Sequence, residues 1–136
     1  PVADLRVMNV LEECGGRLCG TEYLFCHARD EIPEDLPPLE ALAQMALADP
    51  MVGPVAGRAA RVAAEAREGR AEALVVSRIP GASHCAFETQ VLRQQAEDEL
   101  GIPVLELEVH PVSDALLPGM RTRLEALCEA ARARRT

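Results

Sequence analysis

Apolar and polar positions follow two different periods along the chain, and each period predicts one kind of element. Helical spacing of apolar residues, or an Ala- and Glu-rich composition, marks five segments. These predicted helices cover residues 2–13, 39–47, 55–69, 87–100 and 113–132. Short alternating or continuous apolar runs predict strands at residues 17–25, 72–76 and 104–109. Ser113 and Asp114 are expected to cap the last helix.

The order of these elements predicts an α/β fold. The strand at 72–76, the helix at 87–100 and the strand at 104–109 follow one another as in a βαβ unit. We therefore expect a three-layer, open, mostly parallel sheet of the Rossmann or flavodoxin-like kind, flanked by helices, as a single α/β domain over residues 1–136. Three strands make a thin sheet, and the chain opens on a helical pattern, so we expect it to be a fragment of a larger subunit.

Composition and charge narrow the classes of partner. The 136 residues are 49% hydrophobic but only 2% aromatic, so the core must be built from Ala, Leu and Val. With 14 basic and 22 acidic residues, the formal charge of −8 disfavours nucleic acid, and an anionic ligand would need a local basic pocket. No apolar stretch is long enough to span a membrane and no leader pattern is visible, so neither a membrane nor secretion is expected.

Cysteine usage predicts a reducing, cytoplasmic environment rather than a disulfide framework. The five cysteines are an odd number at irregular spacings, namely positions 14, 19, 26, 85 and 128. Cys128 shares a helical apolar stripe and is expected in the core, and Cys14 and Cys19 are expected to be structural. Arg121, Arg123 and Glu125 are interpreted as a solvated face with intrahelical pairs.

Cys85 is the main candidate for chemistry. It follows a predicted strand and precedes a predicted helix, the place where ligands bind in open parallel sheets. The amino end of the helix favours the thiolate, which is the form that binds metal or attacks an electrophile. The alternative interpretation is a small, half-buried hydrophobic residue. His84 is adjacent and would orient the thiol only with a third partner, which the sequence does not reveal.

A second thiol stands at another predicted strand end. Cys26 and His27 follow the strand at 17–25, with Arg29 three residues after Cys26, so they would converge with Cys85 if both strands are parallel. Two cysteines fall short of the usual ligand set of an iron–sulfur cluster, so spacing alone favours ordinary loop cysteines over a metal site. No glycine-rich phosphate loop or dinucleotide fingerprint occurs in the sequence.

Six segments carry a resemblance that extends over nearly the whole chain. They are Val10-Leu-Glu-Glu-Cys-Gly-Gly16, Cys26-His-Ala-Arg29, Pro38-Leu-Glu-Ala-Leu-Ala43, Ala71-Glu-Ala-Leu-Val-Val76 leading to Cys85, Gly101-Ile-Pro-Val-Leu-Glu-Leu-Glu108 and Gly119-Met-Arg-Thr-Arg-Leu-Glu-Ala-Leu-Cys-Glu129. In this order they resemble the carboxyl-terminal domain of the 2-hydroxyacyl-CoA dehydratase and benzoyl-CoA reductase subunit family.

The resemblance implies an iron–sulfur enzyme of anaerobic metabolism that transfers one electron to the thioester of an acyl-CoA. It implies that Cys85 is a ligand of a [4Fe-4S] cluster, with Cys26 as an additional candidate and the other ligands outside this segment. Arg29 and His84 become candidate substrate-binding residues. The implied partners are an acyl-CoA, a second homologous subunit in a heterodimer and an ATP-dependent activator protein, and the isolated domain is expected to be inactive.

Three departures from the family pattern keep other readings open. They are Ala28, Met120 and the loop Ile79-Pro-Gly-Ala-Ser-His84. The reaction would be dehydration of a 2-hydroxyacyl-CoA or reduction of an aromatic ring. The alternatives are a non-catalytic partner subunit without a cluster and an α/β module that binds a small anion through Arg29 or the arginines of the final helix.

Overall fold

Five helices and two strands form the part of the chain that the computed structural model describes, which comprises residues 5–22, 32–48, 52–78, 88–108 and 114–134. The helices are α1 (Leu5–Glu13), α2 (Pro38–Leu47), α3 (Val55–Glu68), α4 (Glu88–Leu100) and α5 (Leu117–Ala133). The strands are β1 (Leu74–Arg78) and β2 (Val104–Glu108).

The two strands pair in parallel, with Leu74 opposite Val104 and Arg78 opposite Glu108. Helix α4 connects them, so the predicted βαβ unit is confirmed. The helix can end sharply before β2 because Gly101 adopts a φ of 64° and its N–H donates to the carbonyl of Glu97, as in a left-handed helix cap. The structure is thus α/β with a parallel sheet, and the described ranges contain two strands of it.

Each face of the sheet carries its own apolar cluster, because alternate residues of a strand point to opposite sides. On one face Leu74 and Val76 pack against a cluster of Ala59, Val62 and Leu92, from α3 and α4.

On the other face Leu105 packs against a cluster of Val10, Leu107 and Leu124, from α1, β2 and α5. Val7 and Met120 extend the α1–α5 contact. The core is therefore aliphatic, as the composition predicted.

Helix α1 ends where the chain reverses at two glycines. Gly15 has a φ of 80°, its N–H donates to the carbonyl of Glu12, and the Gly16 N–H donates to the carbonyl of Leu11. This pair of bonds is a Schellman motif, which satisfies helix carbonyls that have no intrahelical partner. Helix α3 ends in the same way, but the residue in the left-handed conformation is Arg70, with a φ of 50°.

Two predicted elements differ from the structure. Residues 17–22 form no strand, and the rest of the predicted strand at 17–25 lies outside the described residues. Alternation of apolar residues is not sufficient for a strand without a neighbour to pair with, and Leu18 is exposed. The final helix begins at Leu117 rather than at Ser113, with Pro118 in its first turn, a position that proline favours.

Asp114 was expected to cap that helix. It instead accepts a hydrogen bond from Arg6, with 2.7 Å between Arg6 Nη1 and Asp114 Oδ1.

The three-layer arrangement with a wider sheet stays a prediction, since the described part of the chain holds two strands. None of the helices in these ranges is both long and apolar enough to cross a membrane.

Candidate functional site

The sequence-predicted site residues lie in two segments outside the described residues. Cys26 and Arg29 belong to residues 23–31, and His84 and Cys85 belong to residues 79–87. Their neighbours in the chain are described. Arg78 is the last residue of β1 and Glu88 is the first residue of α4, so Cys85 lies in the connection from the carboxyl end of a parallel strand to the amino end of a helix.

Arg58, near the start of α3, binds one described residue at the border of each of these two segments. Its Nε donates to Glu22 Oε1 at 2.9 Å and its Nη2 donates to Glu22 Oε2 at 3.0 Å, which is the forked geometry of a bidentate pair. Its Nη1 donates to Glu88 Oε2. Glu22 is the last described residue before the segment with Cys26, and Glu88 is the first after the segment with Cys85.

The three side chains of this cluster are largely withdrawn from solvent. Arg58 is 17% exposed, Glu22 is 16% exposed and Glu88 is 15% exposed. Glu88 also lies in the first turn of α4, where the partial positive charge of the helix favours a carboxylate. We refer to Arg58, Glu22 and Glu88 as the Arg58 cluster.

Sequence patterns alone do not single out Arg58. It lies in an Ala-, Arg- and Glu-rich helix, and its partners are 36 and 30 residues away along the chain. The sequence signal for a buried partner of Arg58 is its position on the helix. Arg58 is four residues before Val62, which is buried, so both side chains lie on one side of α3. A charged residue on an apolar stripe indicates a buried partner.

A second charged group lies at the carboxyl ends of the strands. Arg78 pairs with Glu106, with 2.9 Å between Arg78 Nε and Glu106 Oε1, and it also pairs with Glu108. Arg123 on α5 donates to the carbonyl oxygen of Glu106 at 2.7 Å. These contacts fix the ends of both strands at the edge of the sheet from which the connection with Cys85 leaves.

A shallow cavity of about 180 Å³ lies between the end of α2 and the start of α3. Its wall includes Leu47, Gly57, Arg58 and Arg61. The cavity adjoins the Arg58 cluster, although both arginines have carboxylate partners: Arg58 binds Glu22 and Glu88, and Arg61 binds Glu65 at 3.2 Å.

The arginines of the final helix bind protein groups. Arg121 pairs with Glu13 on α1, and Arg123 donates to the backbone of β2. Arg132 donates to the carbonyl of Cys14 at 3.1 Å, and Arg134 donates to the carbonyl of Gly101. The expected intrahelical pairs are therefore wrong for Arg121 and Arg123, because the helix lies against α1 and β2 and its long side chains reach across.

Three cysteines are described, and their environments differ. Cys14 packs against the cluster of Val10, Leu107 and Leu124 and lies near the carbonyl of Arg121, at 3.9 Å. Burial, together with the negative charge of Glu125, raises the pKa of the Cys14 thiol above its usual value. Cys128 is half-buried, and Cys19 is exposed and lies outside any strand. The Cys14 thiol is therefore packed against the apolar cluster and is less acidic than an ordinary cysteine thiol.

No three His, Cys, Asp or Glu side chains of the described ranges are placed to hold a metal ion together. The thiols that the sequence predicts as metal ligands, Cys26 and Cys85, belong to the two segments that border the Arg58 cluster.

The chain matches a known protein family. The model of a family described as 2-hydroxyglutaryl-CoA dehydratase, D-component, matches residues 1–130. The match spans both segments that carry the predicted site residues. Neither the curated proteins nor the solved structures contain a match to the chain.

Proposed function

Because the chain belongs to the 2-hydroxyglutaryl-CoA dehydratase D-component family, we propose that it is the carboxyl-terminal domain of a subunit that dehydrates a 2-hydroxyacyl-CoA, with Cys85 as a ligand of a [4Fe-4S] cluster. The observation that carries the proposal is the family match over residues 1–130, which covers all six segments of the sequence resemblance and includes Cys85. The parallel β1–α4–β2 unit supports it, since Cys85 lies in the connection that follows a strand.

The chemistry of the donor set fits such a cluster. Iron–sulfur clusters are held by cysteine thiolates, and this chain offers the thiols of Cys26 and Cys85. Cys26 follows Glu22 in the sequence and Cys85 precedes Glu88, and both glutamates belong to the Arg58 cluster. Two thiols do not complete the set, so the remaining ligands would come from outside residues 1–136. When bound, the cluster would supply a single low-potential electron to the thioester carbonyl of the substrate.

The residues of this chain would bind the substrate and set the charge near it. The chain carries a formal charge of −8, so the phosphate groups of an acyl-CoA require a local cation, a role we assign to Arg29. We also assign a substrate-binding role to His84, the residue that precedes Cys85. Arg78, held by Glu106 and Glu108, fixes the strand end from which this segment leaves.

The proposed partners follow from the same family. They are the acyl-CoA, a second homologous subunit and an ATP-dependent activator that delivers the electron. The absence of a glycine-rich phosphate loop from the sequence is consistent with ATP being bound by a separate protein.

The test is the substitution Cys85→Ser in the full-length subunit, purified without oxygen together with its partner subunit. We expect the wild-type protein to be brown, with about four irons per cluster, and the variant to lose most of that iron because one thiolate ligand is gone. Cys19→Ser is the matched control, since Cys19 is an exposed thiol.

Iron analysis and the electron paramagnetic resonance spectrum of the reduced protein provide the measurement. An unchanged iron content in Cys85→Ser would show that Cys85 is not a ligand. A colourless wild-type protein would favour the non-catalytic partner subunit, or, if it binds acyl-CoA, a ligand-binding domain without a cluster.

A further inference from the structure

Cys14 is the first residue after α1, and it lies against one side of α5. Its side chain packs against the cluster that contains Leu124, and its sulfur lies 3.9 Å from the carbonyl oxygen of Arg121. The carbonyl oxygen of Cys14 accepts a hydrogen bond from Arg132 at 3.1 Å. Cys14 thus contacts α5 at positions both before and after Cys128 in the sequence.

Cys128 lies on the side of α5 that makes these contacts. Successive residues of an α-helix are about 100° apart around its axis, so positions 121, 125, 128 and 132 form one stripe along the helix. Arg121 and Arg132, at the two ends of this stripe, both contact Cys14. Cys128 stands between them on the same side, one turn after Leu124, and therefore adjoins Cys14.

The acidity of Cys14 depends on the same neighbours. Burial raises the pKa of its thiol and so does the charge of Glu125, whereas Arg121 lowers it and a Cys128 thiolate raises it further. Such an effect requires a short separation, because the energy between two charges falls with distance. Both thiols are half-buried, so a small reagent can reach each of them.

Cys19 has a different environment, although it is only five positions from Cys14. It is exposed and lies beside Gly69, at the end of α3. Helix α3 packs on the face of the sheet opposite to α1 and α5. Among the three cysteines that the structure describes, the contacts with α5 therefore bring Cys14 and Cys128 together and leave Cys19 apart.

We propose that Cys14 and Cys128 form a redox-responsive dithiol site, in which a low-molecular-weight disulfide converts the two thiols into a disulfide bond between the end of α1 and α5. Both thiols are reduced in the structure. Disulfides in a reducing compartment are usually transient and sense a change in redox conditions. The proposal is independent of the proposed function, since it involves neither Cys85 nor a cluster.

The reaction consists of two thiol–disulfide exchanges. The thiolate of one cysteine attacks a sulfur of the small disulfide, whose S–S bond breaks, and a first small thiolate leaves. The thiolate of the other cysteine then attacks the protein sulfur of this mixed disulfide, and a second small thiolate leaves. The protons of the two cysteines end on the two small thiols. The protein loses two electrons, and the small disulfide gains them.

The test treats the reduced full-length protein with oxidised glutathione, blocks the remaining thiols with iodoacetamide and digests the protein with trypsin without a reductant. Residues 7–17 and 124–132 are tryptic peptides, and each contains a single cysteine, Cys14 in the first and Cys128 in the second. The mass of the two peptides joined together therefore identifies the bond. We expect this pair to be the main disulfide product of both peptides, and dithiothreitol to reverse it.

Cys19 is the control within the same molecule, since it is exposed and close to Cys14 in the sequence. The Cys14–Cys128 link should exceed the Cys19–Cys128 link about tenfold, because a neighbouring thiol has a much higher effective concentration. Equal amounts of the two links would overturn the proposal. Separate glutathione adducts on Cys14 and Cys128 would also overturn it, and so would two unreacted thiols.

Two variants connect the bond to the stability of the fold. Oxidised glutathione should raise the urea midpoint of the wild-type protein and of Cys19→Ser, because a bond between distant residues restricts the unfolded chain. It should leave the midpoint of Cys128→Ser in place, since Cys14 then carries glutathione without closing a loop. A rise in Cys128→Ser equal to that of the wild-type protein would refute the assignment of the bond to this pair.

Discussion

The two faces of the sheet use different interactions to hold their helices. On the face of α1 and α5, the contact is made by Val10, Leu107 and Leu124, while the ion pair of Arg121 with Glu13 lies at the surface. On the face of α3 and α4, the largely buried Arg58 cluster lies beside an apolar cluster that includes the small residue Ala59. The face with buried charge is the one that borders both segments with candidate site residues. Both sides thus have aliphatic contacts, and the side of α3 and α4 adds a largely buried group of ion pairs.

The largest effect should follow from truncating the apolar face. Leu124 is 2% exposed, and Leu124→Ala should lower the free energy of unfolding by about 2–5 kcal/mol, because it removes buried methyl groups and leaves a cavity between α5, α1 and β2. Urea denaturation measures the change. Leu39→Ala on α2 is the control, since Leu39 is exposed and its truncation should have little effect. Equal losses in both variants would contradict the burial of Leu124.

Removal of the buried charge should cause the second-largest loss of stability. Arg58→Ala should lower the free energy of unfolding by about 2–3 kcal/mol, because two largely buried carboxylates lose their partner. Arg121→Ala breaks a surface pair of the other face and should change stability much less. The same urea titration compares them. If Arg121→Ala proved the more damaging, the contrast between the two faces would be wrong.

The smallest expected change in stability concerns the residues that end α1 and α3, one helix from each face of the sheet. Both α1 and α3 end in Schellman motifs, but the left-handed residue is Gly15 in one and Arg70 in the other. Arg70→Gly should raise the free energy of unfolding by about 0.5–1 kcal/mol, because glycine adopts a positive φ without strain. Gly15→Ala should have the opposite sign. The change is checked by the shift of the thermal midpoint, and a lower midpoint for Arg70→Gly would show that its side chain stabilises the fold.

The sequence predicted the βαβ unit closely because local signals agree there. The apolar run that begins β1, the cap at Gly101 and the apolar run of β2 are local signals. The boundaries of β1, α4 and β2 therefore differ from the prediction by two residues at most. The strand at 17–25 could not be decided in this way. A strand requires a partner across the sheet, and alternation alone does not provide it.

The candidate site was predictable only in part. The position of Cys85 after a strand and before a helix follows from local pattern, and the structure places its neighbours Arg78 and Glu88 as that pattern requires. The Arg58 cluster was not predictable as a whole. The position of Arg58 on the apolar side of α3 indicates a buried partner, but its partners are 36 and 30 residues away along the chain. Only the fold shows that these partners are Glu22 and Glu88.

The unequal burial of charge on the two faces has a consequence for ionic strength. Dissolved ions screen exposed pairs such as Arg6 with Asp114, whereas charges withdrawn from water are screened much less. Concentrated salt should therefore weaken the links that surround α1 and α5 while it leaves Arg58 bound to Glu22 and Glu88. At high salt concentration the ion pairs of Arg58 would persist, and the opposite side would depend on its aliphatic packing and on hydrogen bonds to backbone carbonyls.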